Sequence, residues 1–348
     1  MACLVTGIWG GLLRLSWNLP LPTEHANWIS YHGALMVCGF LGTIIGVERA
    51  AALDSLWSYL APALTASGGV ALIAGVVGIP GPLLFSSGSL VLLAVLVEMV
   101  RRQPTVFAVT MALGAAAWSV GNLLWLASWP VPQLVLWWVA FPTLTIAAER
   151  LELNRLQPPR PGSHRLFVLA IGVFLAALLI STFQPVVGTR LVGVGAAALS
   201  LWLLRYDIAW RTVRQQGLPR FTAVCLLSGY FWLALAGALA IILAPIESGL
   251  PYDSLVHAVF LGFVFAMIFG HAPIIFPAVL GLPIPYRPRF YAHLILLHVS
   301  TAARIGGDLL EWPEVGRWGG LLGAITIAAF LFNTISSALQ GMLSRRNQ

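Results

Sequence analysis

Twelve apolar stretches run through this chain, nearly all close to the length that crosses a bilayer, and they leave little sequence for anything else. They cover roughly 1–19, 29–47, 56–79, 82–100, 104–127, 130–148, 166–183, 188–204, 221–244, 255–281, 290–306 and 315–338. A helix needs about 20 residues to span the hydrocarbon, so twelve spans would take about 240 residues. Pro20, Pro80-Gly81-Pro82, Pro130 and Pro158-Pro159 punctuate the stretches. Backbone polar groups in lipid must be satisfied within the segment, and the ten-residue alternation of a barrel is missing, so the stretches read as helices. The composition agrees. Hydrophobic residues make up 59% and charged residues 9%, against about 25% charged in a soluble domain. A soluble enzyme, a disordered chain and a free nucleic-acid binder are excluded. The expected fold is all-α: a polytopic transmembrane helix bundle of about 12 spans, forming a single transmembrane domain over 1–348. No loop is long enough for another domain, and no internal repeat stands out.

All 19 basic residues are Arg, and the formal charge is +7. Their positions speak for topology rather than nucleic acid. Arg49, then Arg101 and Arg102, then Arg150, Arg155, Arg160 and Arg165 fall in the second, fourth and sixth loops. Arg205, Arg211, Arg214 and Arg220 fall in the eighth, Arg287 and Arg289 in the tenth, and Arg345 and Arg346 in the tail, giving 15 of 19. The odd loops carry Glu24, Glu247, Asp253, Asp308, Glu311 and Glu314 instead. By the positive-inside rule both termini and the even loops are cytoplasmic. Met1–Leu19 reads as a retained first span, since the order of a cleavable signal peptide is missing. Cys3, Cys38 and Cys225 all lie in apolar stretches with no C-x-x-C or C-x-x-C-H, so a disulfide framework, a zinc site and covalent haem are not indicated.

Ionisable groups inside a membrane are costly and therefore functional candidates. His164 lies in a basic loop and reads as solvated, and His25, in the first outer loop, is a weak candidate. His32, His257, His271, His293 and His298 lie in spans two, ten and eleven. His32 and His257 each sit ~3–5 Å below the outer boundary, at matching depth on different helices. His271 is ~21 Å deeper than His257, within about 40° of the same face. His293 and His298 lie in the inner half of span eleven, about 140° apart. Two neutral imidazoles at equal depth suit axial ligation of a non-covalent b-type haem. They equally suit hydrogen bonding between helices, or a proton or substrate path. Arg304, near the outer end of span eleven, could hold haem propionates; it could also snorkel or pair with Asp308. Trp28 and Tyr31 flank His32 and could pack a ring edge. Glu48 and Arg49 are expected to form a local pair. Gly42-x-x-x-Gly46 is a close-packing pattern.

These residues resemble the haem–copper oxidase catalytic subunit and its smaller NnrS relatives. In the oxidases, spans two and ten supply both axial ligands of the low-spin haem. Here those spans read Tyr31-His32-Gly33-Ala34-Leu35-Met36 and Val256-His257-Ala258-Val259-Phe260-Leu261-Gly262, with Met267 and Gly270-His271 further on. The resemblance implies a haem held by His32 and His257, with Arg304 against its propionates. The chain departs from the oxidase pattern in having one His at the start of span ten and none in spans six and seven, so the high-spin haem and its copper centre are not implied. NnrS proteins contain haem and copper and are linked to nitric oxide stress or denitrification. The resemblance thus implies a protein of the bacterial inner (plasma) membrane, in electron transfer or in nitric oxide or diatomic-gas response, working with a redox partner protein. Bis-His coordination favours electron transfer. His271 with His293 or His298 is the candidate set for a second metal, copper or haem. The alternative is a secondary transporter without haem, with Ala272-Pro273 and Phe276-Pro277 marking a discontinuous helix at a substrate site. A subunit with no site of its own is a third reading.

Overall fold

The computed structural model describes residues 1–20, 27–156, 160–281 and 283–346. All regular structure among them is helical. The helices are α1 (Ala2–Arg14), α2 (Trp28–Leu53), α3 (Leu56–Ile73), α4 (Pro80–Arg102), α5 (Val106–Leu126) and α6 (Val131–Leu153). They continue with α7 (Ser163–Phe183), α8 (Pro185–Tyr206), the short α9 (Ala209–Thr212) and α10 (Leu218–Leu243). The helix α11 joins Gly249–His257, Ala258–Val264 and Phe265–Leu280 end to end, and α12 (Phe290–Leu309) and α13 (Pro313–Arg346) close the chain.

A helix occupies each of the twelve apolar stretches. Ten helices among the described residues are long and apolar enough to cross a membrane. The other two are α1, with only 13 residues, and α12, which carries His293, His298, Arg304 and Asp308. Side chains of the ten turn outward as apolar surface: Leu56 is 91%, Phe183 83% and Phe332 69% exposed. Patches of this kind suit lipid and would aggregate in water.

The ends of the helices follow local chemistry. Pro80, Pro185 and Pro219 sit in the first turns of α4, α8 and α10, where the missing N–H costs nothing. Thr105 caps α5 by accepting from the Ala108 N–H at 3.4 Å. Gly281, with φ 68°, ends α11 in the left-handed region. Pro273 and Pro277 lie inside α11, which runs on through both to Leu280.

Helix α3 opens with a 3-10 turn at Leu56–Tyr59, and two other helices contain π-helical stretches. Leu35–Leu41 of α2 and Ala258–Val264 of α11 are π-helical, with backbone bonds reaching five residues instead of four. One begins three residues after His32, the other immediately after His257.

The chain divides into two compact units, Met1–Glu149 and Arg150–Gln348. In the first, α2 packs on α1 and α3, α3 on α4, and α4 on α5. Its core is aromatic: Trp118 and Phe141 stack at 4.5 Å, and Trp125 meets Trp138 edge-on at 5.6 Å. The glycine pair of α2 contributes as its spacing suggests: a Cβ at Gly42 would strike the Trp118 ring, and Gly46 lies against Pro62 of α3. In the second unit, successive long helices pack in turn, α7 with α8, α8 with α10, α10 with α11, α11 with α12 and α12 with α13.

Candidate functional site

In the first unit, His32 is the fifth residue of α2. Its Nδ1 lies 2.6 Å from the carbonyl oxygen of Gly7 on α1. A carbonyl only accepts, so Nδ1 carries a proton. The ring lies over Gly11, where a Cβ would come within 2.8 Å of Cε1. The flanking aromatics point elsewhere in the unit. Trp28 donates from Nε1 to the Ile73 carbonyl at 3.1 Å, and Tyr31 meets Trp125 edge-on at 6.3 Å. Further along α2, Cys38 and Trp138 both donate to Asn122 Oδ1, at 3.3 and 3.0 Å. Arg49 pairs with Glu48 at 2.7 Å, as the sequence suggests, and also with Glu149 at 2.6 Å.

In the second unit, His257 is built the same way. Its Nδ1 lies 2.8 Å from the Asp253 carbonyl oxygen one turn earlier, which fixes a proton on Nδ1. The Asp253 carboxylate adds a negative charge 3.1 Å from the same nitrogen. Arg304 of α12 holds that carboxylate at 2.5 Å, lies 3.8 Å from Asp308 and donates to the Gly316 carbonyl at 3.2 Å. These are interior charges: the side chains of Arg304, Asp253 and Asp308 are 10%, 15% and 4% exposed. Of the three readings of Arg304 from the sequence, pairing with Asp308 is seen, and Asp253 shares the guanidinium.

The remaining histidines divide. His271 donates from Nδ1 to the Met267 carbonyl at 2.8 Å and so shares the tautomer of His32 and His257. His298 accepts the Trp232 indole N–H at Nδ1, at 3.0 Å, which puts its proton on Nε2. His293 lies 3.1 Å from the Asn333 amide nitrogen at Nδ1, inside a cage of Phe221, Phe269, Phe290 and Phe330. Nε2 of His293 and of His298 is buried with no hydrogen-bond partner. As arranged, neither ring turns a lone pair toward a metal. Among the described residues no group of three or more His, Cys, Asp or Glu could hold a metal ion. His164 is exposed. His25 lies outside the described residues.

Sequence reasoning missed Asp253. Its position four residues before His257 was the available signal, because that spacing stacks two side chains on one helix face. It also missed the buried ion pair in which Arg150 grips Asp207 with two contacts, at 2.7 and 2.9 Å. Those residues lie far apart in the chain, and no local spacing marks them.

These features define a class: a multi-pass, all-helical membrane protein with polar groups concentrated inside apolar helices. Residues 1–339 match the family described as Domain of unknown function (DUF8744), and the chain belongs to that family. No curated protein and no solved structure matches it.

Proposed function

We propose that this protein is a twelve-span, b-type haem protein of the bacterial inner membrane, NnrS-like, in which His32 and His257 would hold the haem. Both termini lie in the cytoplasm on this reading. One observation carries it. The two histidines share one local design: Nδ1–H donates to a backbone carbonyl, and a π-helical stretch follows within three residues. Metal-binding histidines characteristically donate their second ring N–H to a carbonyl or carboxylate, and π-helical turns concentrate at functional sites. The chemistry of the two donors supports this reading.

A bound haem would supply one-electron chemistry at iron. The chain's own residues do the rest. The carbonyls of Gly7 and Asp253 orient the two imidazoles by accepting from Nδ1–H. The apolar helices exclude water, which keeps an uncharged gas or a single electron as the natural traffic. The role is electron transfer to a redox partner protein, or response to nitric oxide or another diatomic gas. The same reading puts copper at His271 with His293 or His298; binding there requires the His293 or His298 ring to leave its present hydrogen bond, and metal analysis tests it.

The test is a pyridine haemochrome assay with metal analysis on detergent-purified protein. One b-type haem per chain with an intense Soret band is expected, and His32→Ala and His257→Ala each abolish it. Colourless protein that carries a substrate across vesicles instead establishes the transporter.

A further inference from the structure

We infer that Asp253, clamped by Arg304, is the positioning residue of the His257 ligand, and that it strengthens this imidazole as an electron donor. The inference rests on the haem reading above. It starts from the cost of the cluster. Two carboxylates and a guanidinium lie largely out of water in apolar helices, an arrangement that is expensive and seldom kept for stability alone. The guanidinium does not stand alone: it bridges Asp253 on α11, Asp308 on its own helix and the Gly316 carbonyl of α13. Close helix approach fixes it there, since a Cβ at Gly319 of α13 would collide with the Arg304 backbone. Arg304 thus has little freedom to swing away, and it holds the Asp253 carboxylate in place.

The carboxylate in turn sits 3.1 Å from His257 Nδ1, whose proton already points at the Asp253 carbonyl. A negative charge beside Nδ1–H draws the proton and pushes electron density toward Nε2. A ligand of that kind favours ferric over ferrous iron. Arg304 therefore acts through Asp253, and its contact with the ligand is indirect.

The experiment is a double-mutant cycle on the haem-loaded protein, read by haem retention against apomyoglobin and by midpoint potential. Asp253→Asn is expected to weaken haem retention about 10–100-fold, the usual effect of losing such a partner, and to raise the midpoint potential. Asp253→Glu, which keeps the charge on the same helix turn, recovers most of the potential. Arg304→Gln also weakens retention, and adding it to Asp253→Asn changes little further, because both act on one contact. A purely structural ion pair would alter thermal stability and leave the potential alone. Full additivity would make Arg304 an independent ligand of the propionates and overturn the clamp. Unchanged retention and potential in Asp253→Asn, with haem still lost in His257→Ala, overturns this inference and spares the haem reading. Wild-type protein without haem overturns both. If Asp253→Asn does not fold, Asp253→Glu decides: a potential far from that of the wild type overturns the inference.

Discussion

Removing the Asp207 charge should destabilise the second unit more than almost any other single polar change. Asp207 and Arg150 are each 3% exposed. One carboxylate oxygen takes Arg150 Nε at 2.7 Å and the Tyr230 hydroxyl at 3.1 Å. The other takes Arg150 Nη2 at 2.9 Å and the Ala209 N–H at 2.6 Å. Four donors converge on one side chain, and they come from three helices, α6, α9 and α10. In Asp207→Asn, a buried guanidinium loses its carboxylate, which costs about 3–5 kcal/mol where such pairs have been broken. In soluble domains of about 200 residues each kcal/mol is worth about 2–4 °C, so a fall of order 10 °C is expected in a thermal scan in detergent. Tyr230→Phe removes one hydrogen bond to a charge and should cost about 1.5–3 kcal/mol. The double change Arg150→Met with Asp207→Leu removes both charges and should recover much of the loss, because a buried pair gains little over an apolar one. The reasoning fails if Asp207→Asn melts within a degree of wild type, or if the double variant is worse than the single one.

Three further outcomes follow from the same physics. Asn122→Leu strips the acceptor from both Trp138 and Cys38; about 1–3 kcal/mol per orphaned donor should vanish from the unfolding free energy in detergent. His293→Phe removes a buried N–H that has no acceptor but also takes the Nδ1 acceptor from the Asn333 amide, so a loss of about 1–3 kcal/mol is expected in detergent unfolding; a loss of bound copper would instead mark His293 as a ligand. Single cysteines introduced at Arg102 and Arg214 should react with a membrane-impermeant maleimide only from the cytoplasmic face, and one at Glu311 only from the opposite face; labelling from the reverse sides would invert the topology.

Much of the helical frame could be read from the chain because hydropathy is a local property. Each of the twelve apolar stretches became a helix, and the Gly42 and Gly46 spacing found its close contacts. The limits of that reading are also physical. Length in apolar residues does not fix helix length: Met1–Leu19 shortens to a helix of 13 residues, because nothing in hydropathy registers where the chain unwinds before Pro20. Pro273 and Pro277 suggested a broken helix, yet α11 continues through them, and its irregularity lies at Ala258–Val264, where no proline or glycine pair announces it. Within the site, pairs one helix turn apart were accessible, as Arg304 with Asp308 shows. Partners brought from a distant helix, such as Asp253 to Arg304 or Glu149 to Arg49, depend on packing that no spacing encodes.

The two π-helical stretches lead to a prediction that separates architecture from chemistry. A π-helical segment in an α-helix holds one residue more than the α geometry needs, and the helix on either side keeps its facing. Deleting a residue inside the stretch lets bonds of reach five revert to reach four. The flanks then stay in phase. Deleting a residue from an ordinary helix has the opposite effect, turning everything beyond it by about 100° and misaligning the buried face. Phe260 is half-buried within the Ala258–Val264 stretch, and Phe231 is 59% exposed within α10. Removing Phe260 should therefore leave a monodisperse, cooperatively melting protein, and removing Phe231 should not. Haem content then reports on the chemistry. His257 is the last residue before the stretch, and the turn that follows sets its ring angle. The Phe260 deletion should thus fold yet bind haem weakly. Equal damage from both deletions would show that the π-helical turns are packed as tightly as any other and have no special bearing on the histidines they follow.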